Sequence, residues 1–176
     1  MKELFSRIPL LHSDALTLRQ LIPADAGDLR RLTLQENVYR FLPTFLFEKK
    51  YADIEEVIAR LYSEGLNDSL ILGVFRDGRF CGLAEFYGYR APIHKISVGY
   101  RLLEEMWGQG IATEALRLMV DEAIGRRGIE IITASTMIEN RASSRVLQKN
   151  GFTLVNHAVG EDWGYPEPTP ADKWIR

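Results

Sequence analysis

Two glycines one residue apart, Gly108 and Gly110, sit in the run Trp107-Gly108-Gln109-Gly110-Ile111-Ala112, between a strand-like segment and a strongly periodic helical one. Glycine lets a backbone turn tightly and admits a ligand where a β-carbon would obstruct it. The following helix offers unpaired N–H groups and the positive end of its dipole. Such a turn suits an anion, a pyrophosphate above all. Two phosphate motifs are excluded. A kinase-type loop ends in Gly-Lys-Ser/Thr, whereas Ile111 and Ala112 follow Gly110. A dinucleotide fingerprint wants a third glycine where Thr113 stands, and lies nearer the start of a chain. A tight connection without a ligand is the plain alternative.

Other reactive residues point away from metal or nucleophilic chemistry. His12, His94 and His157 share no ligand spacing and adjoin no nucleophile signature, so neither a metal site nor a Ser-His-Asp arrangement is expected. Cys81 is the single cysteine, which excludes an internal disulfide, and its apolar surroundings from Phe80 to Phe86 read as a buried structural thiol. Lys and Arg total 22 against 24 for Asp and Glu, a net charge of -2, so nucleic acid is not an expected partner and attraction to an anion must be local. The longest apolar run, Leu70 to Phe75, is too short to span a membrane, and the first residues carry Glu3 and Arg7 rather than a secretion signal. A cytoplasmic protein is expected.

The elements that position the glycine turn follow from periodicity. Leu16 to Leu21 alternates as a strand, and Pro23, Asp25 and Asp28 open a helix to about Leu34. Pro43 interrupts the next segment, and Asp53 to Leu66 reads as a second helix with Ile54, Val57, Ile58 and Leu61 on one stripe. Ser69–Arg76 and Arg79–Tyr89 flank Asp77-Gly78, a hairpin turn pair. Lys95–Leu103 is a strand with Ile96, Val98, Tyr100 and Leu102 on one face. Ala112, Ala115, Leu116, Met119, Val120 and Ala123 form the stripe of a core-facing helix ended by Gly125 and Gly128. Glu130–Thr136 is a central strand, Asn140–Asn150 a helix stopped by Gly151, and Phe152–Val159 another strand. After a proline-rich loop, Lys173-Trp174-Ile175 closes the sheet. The 176 residues, 46% hydrophobic and 26% charged, make one α/β domain over 1–176, without repeats or linkers.

Four blocks, Gly99-Tyr100-Arg101-Leu102, Trp107 to Ala115, Asn140-Arg141-Ala142-Ser143 and Gly151-Phe152, stand in the order and spacing of the GNAT superfamily of N-acetyltransferases. The chain resembles that family, and more narrowly its RimJ/RimL branch, which acetylates protein N-termini. The resemblance implies a mixed, mostly antiparallel α+β sheet splayed at the cofactor site, flanked by helices, with its core motifs over 95–155. It implies acetyl-CoA as co-substrate, with no metal, and direct transfer of the acetyl group to an amine in a ternary complex.

By that resemblance the backbone of Trp107, Gly108, Gln109, Gly110, Ile111, Ala112 and Thr113 holds the coenzyme's pyrophosphate. Leu102 and Leu103, beside a bulge, pair with its pantetheine arm, and Asn140 contacts the same arm, a position where asparagine also suits a helix N-cap. Many members carry a tyrosine four residues before the Gly-Phe glycine to protonate the departing sulfur. Leu147 stands there, and Ser143 matches a branch serine proposed for that role. Base candidates are Glu161 and Asp162, where the branch has a catalytic glutamate, and Glu85, in an otherwise apolar strand. Glu114, in a first helical turn, suits the dipole. Arg141, Arg145 and Lys149, four apart on one helix face, read as a solvated face that could alternatively meet the coenzyme's 3′-phosphate. Phe41, Phe45, Phe47 and Tyr51 suggest an apolar acceptor wall, and no dense acidic cluster is present to hold a polyamine. The acceptor is expected to be a protein N-terminus, with a small-molecule amine or a non-catalytic acyl-CoA sensor as alternatives, in a monomer or homodimer.

Overall fold

The Asp77-Gly78 pair takes left-handed conformations at both residues (φ 50° and 75°), as a two-residue hairpin turn requires. It joins β3 (Ser69–Arg76) to β4 (Arg79–Arg90). The computed structural model describes residues 1–42 and 46–176, so the expected break at Pro43 and the aromatic Phe45 lie outside the described residues. Around this hairpin β1 (Leu11–His12), β2 (Thr17–Arg19), β5 (Lys95–Leu102), β6 (Ile131–Met137), β7 (Thr153–Glu161) and β8 (Thr169–Ile175) complete one sheet, ordered β1-β2-β3-β4-β5-β6-β8-β7. Every pairing is antiparallel except β5 with β6. β8 inserts between β6 and β7, so the closing segment expected at 173–175 is a strand of seven residues.

Helices cover both faces. α1 (Ala26–Thr33), α2 (Glu36–Tyr39) and α3 (Ile54–Leu61) lie on one, and α4 (Ile111–Val120) and α5 (Arg141–Lys149) on the other. Asp53 caps α3 through the Glu55 N–H (2.9 Å). The helix ends at Leu61, earlier than its periodicity predicts. Tyr62, next in line, is spent on tertiary bonds, accepting from the Leu21 N–H at 2.7 Å and donating to the Ile71 C=O at 2.9 Å. α4 buries Ile111, Ala115, Leu116, Leu118, Met119 and Val120, then widens to a π-helical turn over Asp121–Arg126 before Gly128 (φ 65°). Among the described residues no helix is long and apolar enough to cross a membrane.

β5 and β6 are in register only at Lys95↔Ile131, Ile96↔Ile132 and Ser97↔Thr133. From Thr133 onward β6 follows β8 as far as Met137↔Ala171, while β5 follows β4 to Gly82↔Leu102. The two strands therefore part, as the resemblance implies. The parting has a different cause from the bulge expected near Leu102, because the β4–β5 register is unbroken from Ser97 to Leu102. Each strand follows the partner with which it makes the longer ladder.

Candidate active site

In an antiparallel ladder, residues alternate between those that bond the partner strand and those whose N–H and C=O point away from it. The Leu103 N–H donates to the Cys81 C=O (2.9 Å), which assigns Leu103, Arg101 and Gly99 to the β4-facing set. Tyr100 and Leu102 then turn their backbone groups into the gap left by β6. Leu102 keeps its place as a candidate to pair with an amide-bearing ligand. Leu103 does not, because its N–H is consumed by Cys81 and its C=O accepts from the Met106 N–H (2.9 Å).

At the end of β5 the chain turns into α4 through Gly108 (φ 71°) and Gly110 (φ 78°), where a β-carbon would meet open space. The first bond of α4 runs from the Glu114 N–H to the Gly110 C=O (3.1 Å), so the N–H groups of Ile111, Ala112 and Thr113 have no helical acceptor, and among the described residues no side chain caps them. The loop is held by its flanks. The Trp107 indole N–H donates to the Leu102 C=O (2.9 Å), Arg76 donates to both oxygens of Gln109 (3.0 and 3.1 Å), and Gln109 donates to the Glu105 C=O (2.6 Å). The Gln109 side chain is thus turned to Arg76 and Glu105. Trp107, Gly108, Gly110, Ile111, Ala112 and Thr113 line a cleft of about 600 Å³ with Asn140, Ser143 and the splayed strands.

On the cleft's opposite wall, Asn140 is the N-cap of α5, its Oδ1 accepting from the Ser143 N–H (3.2 Å). Among the described residues its amide nitrogen makes no hydrogen bond. The Ser143 hydroxyl bonds the Tyr100 phenol at 2.8 Å, and burial pushes that phenol up to about 12 although the bond to Ser143 acts the other way. The pair is therefore a standing O–H donor at neutral pH. Leu147 is buried in the core and takes no part. Arg145 and Lys149 reach the cleft rim, whereas Arg141 does not line it.

A second cavity, about 990 Å³, is lined in part by Phe41, Phe47, Glu85, Tyr87 and Glu161. Arg101 and Ser135 line both cavities, so the two adjoin where β5 and β6 part. Glu161 pairs with Lys173 (2.5 Å) and accepts from the Ser135 hydroxyl (3.4 Å). Its neighbour Asp162 is exposed, accepts from the Gly164 N–H (2.9 Å) and does not line the cavity. Beneath the cavity, buried Arg101 donates to Glu48 through Nη2 (2.7 Å) and to Glu85 through Nη1 (2.9 Å), and its Nε lies against the other Glu48 oxygen as an ion pair without forming a hydrogen bond among the described residues. Burial alone would favour a neutral guanidinium, but the two carboxylates outweigh it and hold the charge. Tyr87 is raised by burial and by the nearby charges of Glu85 and Glu161. Among the described residues no group of three or more His, Cys, Asp or Glu side chains is placed to hold a metal ion.

A family model described as an acetyltransferase (GNAT) domain matches residues 15–153. The chain belongs to the GNAT acetyltransferases. It is 26% identical over 168 residues, 93% of each chain, to YoaA, an uncharacterized N-acetyltransferase of Bacillus subtilis (strain 168). The solved structure of the ribosomal L7/L12 α-N-protein acetyltransferase RimL in complex with coenzyme A superposes with a TM-score of 0.80 at 19% identity, covering 96% of this chain and 97% of that one. A spermidine N-acetyltransferase from Vibrio cholerae, in complex with CoA and spermine, gives 0.75 at 18% identity, over 93% and 96%.

In this N-acetyltransferase the structure gathers Leu102, Asn140, Ser143 and the glycine turn at one cleft, and Glu85 and Glu161 at the adjoining cavity. It removes Leu103, Asp162 and the Gln109 side chain from both. Sequence reasoning missed Tyr100, Arg101, Ser135 and Glu48. Tyr100 carried a signal, since it belongs to a motif block, but its alternation reads equally as a core position. Glu48 carried none, because its partner Arg101 is 53 residues away.

Proposed function

We propose that this enzyme transfers the acetyl group of acetyl-coenzyme A to the α-amine of a protein or peptide N-terminus, by direct attack in a ternary complex. The observation that carries the reading is the parting of β5 and β6, which sets an anion cradle beside an aromatic-walled chamber. The residues fit the coenzyme. The free N–H groups at Ile111 to Thr113 and the unobstructed glycines suit a diphosphate, and the outward backbone of Tyr100 together with the Leu102 N–H suits an arm laid down as an added strand, the Leu102 C=O being engaged by the Trp107 indole.

When bound, the coenzyme supplies an acetyl group activated as a thioester. An α-amine, with a pKa of about 8, is partly neutral at pH 7 and needs little help from a base. Glu161, on the chamber wall beside Ser135, takes up its proton directly or through a water. The Leu102 N–H is the candidate donor to the carbonyl oxygen as charge develops there. The Tyr100–Ser143 pair offers an O–H to the departing sulfur, and a thiol of pKa about 8.5 needs only modest assistance.

A small polyamine acceptor is the second reading, favoured by the two carboxylates, Glu85 and Glu161, that share the chamber. The test is an acceptor screen with acetyl-coenzyme A, read by free thiol and product mass. N-terminally acetylated peptides are expected. Turnover confined to polyamines would select the second reading, and tight coenzyme binding without turnover on any amine would indicate an acyl-CoA sensor.

A further inference from the structure

The floor of the acceptor chamber holds an unequal set of charges. Glu48 (side chain 1% exposed) accepts from Nη2 of Arg101 (3% exposed) and ion-pairs at its Nε, and Nη1 donates to one oxygen of Glu85 (18% exposed). Two carboxylates around one guanidinium leave one negative charge uncompensated. Glu48 is held further by the Tyr39 hydroxyl (3.3 Å). Lys49 does not restore the balance. Its ammonium stacks 3.5 Å from the Tyr39 ring centroid, and among the described residues it makes no ion pair with either carboxylate. Net charge in a poorly hydrated site is costly unless a ligand completes it. The surplus resides at Glu85, the member that lines the cavity, and its Oε1 has no partner among the described residues.

We propose that Glu48, Arg101 and Glu85 form a cation receptor in which Arg101, its charge balanced by Glu48, fixes one oxygen of Glu85 so that the other selects the acceptor as an ammonium ion. Glu85 is then the specificity-determining residue and Glu48 a positioning residue. The inference rests on the second cavity being the acceptor chamber. It gives the enzyme a means of preferring amines over alcohols of the same shape, because a neutral hydroxyl leaves the surplus charge unpaired.

Phenethylamine, a cation at pH 7, and phenethyl alcohol, its neutral counterpart, test the charge preference against the same aromatic walls. By NMR titration the wild-type protein is expected to bind the amine about tenfold more tightly or better, the scale of a hydrogen bond to a charged group. Glu85→Gln should abolish the preference with affinity for the alcohol unchanged. Glu48→Gln should also reduce it although Glu85 is intact, since Arg101 is released to neutralise Glu85. A packing role alone would weaken both ligands alike. Equal wild-type affinities, or a preference that survives Glu85→Gln in a folded protein, would overturn the inference. Calorimetry with coenzyme A on the same samples separates the two claims. Coenzyme binding without amine preference defeats the receptor alone, whereas amine preference without coenzyme binding defeats the proposed function.

Discussion

Replacing Gly110 by Asp places a carboxylate where the proposed diphosphate would lie. The fold should tolerate it. Gly110 has φ 78°, a region that Asp enters at lower cost than most residues, and its β-carbon would meet nothing within 4 Å. A strain of about 1 kcal/mol lowers the unfolding midpoint by about 2–4 °C in a domain this size. The effect on binding is larger. Two unit charges about 4 Å apart repel by about 1 kcal/mol in water-like surroundings and about 4 kcal/mol near a protein surface. At one decade per about 1.4 kcal/mol, that predicts a loss of about fivefold to about a thousandfold in coenzyme A affinity. The assay is calorimetry with coenzyme A, with thermal unfolding as the control. Gly110→Ala, which carries the strain without the charge, should lose far less. A folded Gly110→Asp protein that binds the coenzyme within twofold of wild type would refute the cradle.

Adjacent carboxylates should separate cleanly. Glu161→Gln is expected to lower kcat by about a hundredfold, whereas Asp162→Ala should stay within about twofold in steady-state assays, because Asp162 is bonded within its own turn. Tyr100→Phe and Ser143→Ala should each reduce kcat by about a hundredfold, the low end for a general acid, with coenzyme affinity little changed by calorimetry. Because the Tyr100 phenol lies up near 12, the deficit should be constant from pH 6 to about pH 9. Glu114 is lowered to about 2 by its hydrogen bonds to Arg117 and Ser13, below the unfolded value near about 4.3. Its stabilisation is therefore present above about pH 4.3 and lost as pH falls toward about 2. Being partly exposed, it is worth about 1 kcal/mol or less, so Glu114→Gln should lower the midpoint by at most about 4 °C at pH 7, a gap that closes in thermal scans through this acid window.

The strand–turn–helix around Gly108 and Gly110, the Asp77-Gly78 hairpin and the apolar stripe of α4 were legible in the chain, because each depends on neighbours in sequence: backbone conformation, dipole and periodicity. So was the Asn140 cap, a contact spanning three residues. Tertiary structure decided which of two neighbouring amides, Leu102 or Leu103, faces the gap, because alternation in a ladder depends on the partner strand. It set Glu161 apart from Asp162, because β8 supplies Lys173 and β6 supplies Ser135 to Glu161 while Asp162 turns to its own loop. It also assembled the Glu48–Arg101–Glu85 set from three separate segments. Local chemistry is written in residue order, whereas the pairing of charges and the openness of a strand are properties of what packs beside them.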